Sequence, residues 1–173
     1  MIRMTKKIVF ILPSRDFNDR EFQTVIASLQ DRGYDFRVVS NEPGVCSGMF
    51  GLAVSCASLL TIDPGQIDAL IIIGGYGYEL LLSDSMVTTI IQKVSDNGKI
   101  LAAIGRGSLV LAKAAILGGR FVTVFPTKEY IELLKKEGAH YSAEAVEVDS
   151  NIITASDETV SAAFAAAIVN ALE

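Results

Sequence analysis

The stretch Asp68-Ala69-Leu70-Ile71-Ile72-Ile73-Gly74-Gly75-Tyr76-Gly77 decides how the rest of the chain is read. A run of apolar residues with three consecutive isoleucines has no polar face, so it reads as a strand covered on both sides, as inner strands of a parallel sheet are. The glycines stop it sharply. Working outward, Lys7–Leu12 (KIVFIL), Tyr34–Ser40 (YDFRVVS) and Ile100–Ile104 (ILAAI) read as further strands. Between the first two, Asp19–Arg32 places Phe22, Val25, Ile26 and Leu29 at helical spacing, with Gly33 as the stop. Ser83-Asp84 offers an N-cap to a helix that carries Met86, Val87, Ile90, Ile91 and Val94 and ends at Gly98.

The remaining segments continue the alternation. Leu109–Leu117, Thr127–Gly138 and Asp157–Leu172 predict helices, and Phe121–Phe125 a short strand. Glu42–Thr61 reads as a hairpin-bearing excursion with a strand at Leu52–Cys56, and Glu144–Ala155 as a second hairpin. The expectation is an α/β fold with a doubly wound, mostly parallel sheet sandwiched by helices, as one domain over residues 1–173.

Composition narrows the function. Half of the 173 residues are hydrophobic and mean hydropathy is +0.41, which argues against a disordered chain. A net charge of −5 and a pI near 4.9, with basic blocks no longer than Lys6-Lys7 or Lys135-Lys136, argue against nucleic acid and anionic membranes as partners. Apolar runs such as Ala69–Ile73 are far shorter than the roughly 20 residues of a spanning helix. Residues Met1–Lys7 precede too few apolar residues before Pro13 to form a secretory core, so a cytosolic location is expected. Both Cys46 and Cys56 are read as thiols, Cys56 as a packed one and Cys46, in a glycine-rich turn, as the more exposed. The single His140, read as a surface residue, leaves no basis for a zinc site or a Ser-His-Asp triad. Gly105-Arg106-Gly107 lacks the third glycine of a dinucleotide fingerprint, because Val110 stands there, and no phosphate-binding P-loop occurs; no cofactor or metal is predicted.

Ligands of open parallel sheets collect beyond the carboxyl ends of the central strands. Three such ends stand out: the loop from Leu12 to Glu21, the cluster Gly74-Gly75-Tyr76-Gly77, and Gly105-Arg106-Gly107-Ser108. Each cluster also has a plain reading as an ordinary glycine turn. Taken together, KIVFIL with Phe17-Asn18-Asp19-Arg20-Glu21, then DALIIIGGYGYE, then Gly98–Gly107 (GKILAAIGRG), then Ala114–Arg120 (AAILGGR), resemble the ThiJ/PfpI superfamily over essentially the whole chain. That group includes the Parkinson-associated deglycase and chaperone, PfpI-type proteases and relatives of class I glutamine amidotransferase domains, so the resemblance implies their flavodoxin-like fold and a homodimer.

The family's chemistry uses a strand-to-helix elbow reading about Ala-Ile-Cys-His-Gly, a glutamate that shares a proton with the cysteine, and Gly-Gly N–H groups that bind an oxyanion. By resemblance Glu21 is the glutamate, Gly74-Gly75 with Tyr76 the oxyanion loop, and Glu79 an acidic residue that joins a neighbouring subunit's site. The elbow departs from the pattern: Gly105 stands where the cysteine belongs and Arg106 where the histidine belongs. Glycine has no attacking atom, yet it relieves the strain that such a bend imposes on a residue with a Cβ. Arg106 either turns into the cleft, to pair with Glu21 or hold an anion, or points to solvent or a structural salt bridge. Glu21 is either a pocket carboxyl with a raised pKa or an ordinary first-turn acid. Ser108, one turn beyond the elbow, has no histidine to deprotonate it.

The expectation is a family member that has lost the cysteine chemistry, lined at its remnant cleft by Glu21, Gly75, Tyr76, Gly105 and Arg106. It binds a small polar or anionic metabolite or acts through its dimer. The rival is a protease-like or amidase-like hydrolase, or a glyoxalase or deglycase, working through Glu21 and a non-standard nucleophile.

Overall fold

The computed structural model describes residues 5–173; the leading residues of the segment weighed above as a secretory signal lie outside them. In chain order the elements are β1 (Ile8–Leu12), β2 (Arg15–Phe17), α1 (Asp19–Asp31), β3 (Phe36–Ser40), β4 (Gly44–Gly48), β5 (Ala53–Ser58), β6 (Ala69–Ile72), α2 (Tyr78–Leu82) and α3 (Ser85–Asp96). They continue with β7 (Ile100–Ile104), α4 (Gly107–Lys113), β8 (Phe121–Val122), α5 (Lys128–Lys136), β9 (His140–Tyr141), β10 (Val146–Asp149), β11 (Ile152–Ala155) and α6 (Ser161–Leu172). Nine strands form one sheet in the order β10-β11-β7-β6-β1-β3-β5-β4-β2, and β8 and β9 pair apart from it. Every pairing in the large sheet is parallel except the β4–β5 and β10–β11 hairpins. The sheet is therefore mostly parallel, as the alternation predicts.

Alternation along the central strands divides the core into two layers. Phe10, Leu12, Ile71, Ile73, Ala102 and Ile104 face α1 and α6, where Phe22, Val25, Leu29, Phe164 and Ile168 meet them. Val9, Ile11, Leu70, Ile72, Leu101 and Ala103 face the other way, against Leu81, Val87, Ile91, Leu111 and Leu134 of α2 to α5. Residues 8–12 and 69–73 are all buried, which is why those runs carry no polar alternation.

Several expectations need correction. The loop expected from Leu12 to Glu21 contains β2, which pairs with β4 in parallel. Five residues after the glycine cluster form α2, a helix too short to carry a periodic pattern. The helix expected over Leu109–Leu117 stops at Lys113, because Ala115 adopts a left-handed backbone (φ 59°) that redirects the chain. Phe121–Phe125 pairs only over its first two residues, since the Thr123 N–H donates to the Thr154 hydroxyl at 3.0 Å and not to a neighbouring strand. The last helix starts at Ser161, after a 3-10 turn (Glu158–Val160) capped by Asp157. Cys46 is buried at 1 % exposure, not exposed as its glycine-rich surroundings suggest: pairing with β5 turns its side chain inward, onto the core that also holds Cys56. No helix among the described residues is long and apolar enough to cross a membrane.

Candidate functional site

The carboxyl ends of β1, β6 and β7 bring three loops together. Asn18 caps α1, its Oδ1 accepting the N–H groups of Arg20 and Glu21 at 3.1 Å each, which fixes Glu21 in the first helical turn. The loop after β1 is tied to the loop after β6: the Asn18 N–H donates to the Gly74 carbonyl (2.9 Å) and the Gly77 N–H to the Asp16 carbonyl (3.1 Å). A Cβ on Gly75 would lie 2.3 Å from the Asp16 oxygen, at a φ of +111°, so only glycine permits this approach. Through that contact Glu21 reaches the Gly74 N–H, which donates to its Oε2 at 2.9 Å.

At the end of β7 the chain bends at Gly105, with φ +60°. A Cβ placed there would stand 2.6 Å from Glu21 Oε1. The carboxyl of Glu21 thus occupies the space that a side chain at position 105 would enter. Glu21 is only 3 % exposed, and burial lifts its pKa from 4.5 to about 8. The Gly74 N–H and Arg106 pull against that rise, while Glu158 and Asp157 add to it. Near neutral pH Glu21 is therefore chiefly a neutral acid, accepting from Gly74 on one oxygen and turning the other toward residue 105.

Glu21, Gly105, Arg106 and Tyr76 line one cleft of about 300 Å³, closed on its other sides by Met49, Phe50, Phe125 and residues 157–159. Asp19, buried at 3 %, holds the loop that carries Phe50 by accepting the N–H groups of Phe50 (2.9 Å) and Leu52 (3.3 Å). Arg20 spans the rim, paired with Glu158 at 2.8 Å and stacked on Phe50 at 4.6 Å. Asp157 accepts from the Thr159 hydroxyl and N–H and from Ser156. Burial alone would raise its pKa, but these bonds outweigh that and hold it below the ordinary carboxylate value. A second hollow, of about 370 Å³, lies at the amino ends of β1 and β3, where Lys7, Asp35, Arg37 and Asp63 line it.

Arg106 turns into the cleft, as one of its two expected paths has it, but not to pair with Glu21. It makes no ion pair with Glu21 or with any other described residue. Its guanidinium lies 4.4 Å from the Phe125 ring centre, 4.7 Å from that of Tyr76 and 5.5 Å from that of Tyr130, and its Nε–H donates to the Tyr130 hydroxyl at 3.0 Å. The Tyr130 ring meets that of Tyr78 edge-on at 5.9 Å, and burial, with Tyr130 beside it, raises the Tyr78 pKa.

Not every expected residue joins the cleft. Gly74 and Gly75 do not line it: the Gly74 N–H is committed to Glu21, and both residues are buried in the contact between loops. Glu79 is exposed on α2 and lines a separate groove with Leu109 and Lys113. Ser108 is fully buried, its hydroxyl without a hydrogen-bond partner among the described residues, and does not line the cleft. His140 is exposed on β9 against Phe121 and lies outside the cleft lining. The sequence reading missed Asn18, Phe50, Phe125, Tyr130 and Asp157–Thr159. Asn18-Asp19 ahead of the first helix was an available capping signal; the others come from distant segments that only the tertiary structure brings together.

A doubly wound sheet with a strand-to-helix elbow facing a buried glutamate defines an α/β protein of the class that sets such an elbow beside an acid. The sequence profile of the DJ-1/PfpI family matches residues 6–171, and the chain belongs to that family. An uncharacterised protein of Methanocaldococcus jannaschii is 32 % identical over 96 % of this chain and 82 % of its own length. A deglycase of Thermococcus kodakarensis is 29 % identical over 84 % of this chain and 87 % of its own. Among solved structures, a ThiJ/PfpI domain protein from Brachyspira murdochii superposes with a TM-score of 0.92, at 29 % identity, over 98 % of both chains.

Proposed function

We propose that this chain is a DJ-1/PfpI protein that does not run cysteine chemistry at its elbow and instead binds a small polar or anionic metabolite in the cleft. The observation that carries the reading is Gly105: the bend is present at φ +60°, but the space a nucleophile would fill faces Glu21 Oε1. Cys46 and Cys56 are buried in the β4–β5 hairpin and neither lines the cleft. Burial also pushes the Cys56 thiol pKa up, away from the thiolate that attacks. Tyr76, Arg106 and Glu21 remain as groups able to hold a ligand. A cytosolic location, a single domain and a homodimer belong to the same proposal, and light scattering tests the dimer.

Incubation with methylglyoxal or a peptide amide tests the reading. The expected result is no turnover above buffer; turnover abolished by alkylating the thiols overturns it.

A second reading has its own support. Buried acids with pKa values near neutrality often serve as general acids, and Glu21 is one. Several relatives, including those of Thermococcus kodakarensis and Escherichia coli, are named deglycases. In that reading Glu21 works with a water or another non-standard nucleophile, as in a hydrolase or a glyoxalase. Turnover that survives thiol alkylation and is lost in Glu21→Gln would establish it.

A further inference from the structure

The charge pattern of the cleft narrows the ligand. Glu158 is already engaged on both oxygens, by Arg20 at 2.8 Å and by the Asn18 side-chain amide at 3.0 Å. Asp157 is satisfied by Ser156 and Thr159. Glu21 Oε2 is held by the Gly74 N–H. Among the described residues this leaves Arg106 as the one cleft cation without a carboxylate partner. Aromatic rings hold its guanidinium, and its Nε–H is committed to Tyr130. The terminal nitrogens stay available as a planar fork, the geometry that matches a carboxylate through two parallel bonds. One unpaired positive charge suits a monoanion, whereas the carboxylates of Asp157 and Glu158 oppose a dianion. At about 300 Å³ the space is at the small end of the range for ligand sites, and Met49 and Phe50 offer an apolar wall to a short tail.

We propose that the ligand is a small monocarboxylate, its carboxylate held by the terminal nitrogens of Arg106 and facing the Glu21 carboxyl. This rests on the reading that the cleft binds a small ligand. Arg106 is the anchoring cation and Tyr130 a positioning residue that acts through it. Glu21 makes binding pH-dependent. The Gly74 N–H touches it and the charges of Arg106, Asp157 and Glu158 act on it; once ionised it repels an anion, so affinity falls as pH rises through about 8.

The test is a titration of the whole protein with acetate, propionate and butyrate, with propionamide and inorganic phosphate as comparisons, read by calorimetry and by amide NMR shifts. At pH 6.5 the carboxylates are expected to bind, shifting Gly105, Arg106 and Phe125, and to bind more tightly than propionamide or phosphate. Arg106→Gln is expected to weaken butyrate about tenfold or more, and Tyr130→Phe by about threefold to tenfold, each with its circular dichroism unchanged. Glu21→Gln is expected to remove the loss of affinity between pH 7 and 9. If Arg106→Gln does not fold, the Tyr130→Phe titration and the pH profile of the unaltered protein decide. Propionamide or phosphate binding at the same amides as tightly as butyrate overturns the carboxylate assignment but leaves a binding cleft. Absence of any shift at those amides overturns both. Thiol-dependent turnover, measured separately, overturns only the loss of cysteine chemistry.

Discussion

The elbow at Gly105 and the β4–β5 hairpin are opposite cases. The elbow has a bend that lines a cleft, a neighbouring acid and a nearby cation, but no sulfur. The hairpin has two sulfurs, both buried and turned onto the apolar core, one of them with its pKa raised by burial. Reactivity belongs to the backbone and the surroundings of a position as much as to the residue on it. One region has the bend and the acid without a sulfur; the other has two sulfurs packed into the core.

The sharpest way to break this contrast is to titrate stability against pH. Glu21 keeps its proton in the folded state up to about pH 8 but loses it near 4.5 when unfolded, so the native state binds more protons between those values. Its contribution is whole below about pH 4.5 and disappears as pH climbs through about 8. A Glu21→Gln variant, neutral throughout, is expected to match the unaltered protein at about pH 4 and to exceed it by on the order of 4 kcal/mol at pH 9 in urea unfolding. Parallel profiles for the two proteins would mean that the carboxyl is not held neutral.

A somewhat smaller effect tests what holds the acid in place. Gly75→Ala combines positive-φ strain with a backbone collision against Asp16, and is expected to cost about 3 kcal/mol. A loss under about 0.5 kcal/mol would show that the loops after β1 and β6 are not locked together. Smallest is the exchange that restores sulfur to the elbow. Gly105→Cys is expected to cost on the order of 1 to 2 kcal/mol, through its left-handed backbone and the shift its Cβ forces on the Glu21 carboxyl. Its new thiol is expected to react with a thiol reagent in the native protein, while Cys46 and Cys56 react only after unfolding. Equal protection of all three would place position 105 outside the cleft.

The sequence made the frame legible because the inner strands are covered on both faces. Runs such as KIVFIL and DALIII can be read without tertiary information, and the stop at Gly33 and the cap at Asp84 fall where the structure has them. The acid and the bend were also legible, from Glu21 in the first helical turn and from Gly105 after an apolar strand. The aromatic surround of Arg106 was not, because Tyr76, Phe125 and Tyr130 come from three loops and helices whose proximity no local pattern records. The glycine cluster misled in an instructive way. Gly74 and Gly75 look like a ligand cradle in sequence, but in the fold they let two loops touch, and the N–H of Gly74 serves Glu21. Cys46 misled because glycines around it suggested a turn, where pairing with β5 makes a strand with one face inward.

The Glu21 carboxyl, held neutral by burial, stands where a side chain at the elbow would lie. Carbon-13 NMR of the side-chain carboxyls, with the Glu21 signal assigned by its loss in Glu21→Gln, measures this directly in the folded protein. The account predicts one glutamate titrating near pH 8; a Glu21 signal already ionised by pH 5 would contradict it.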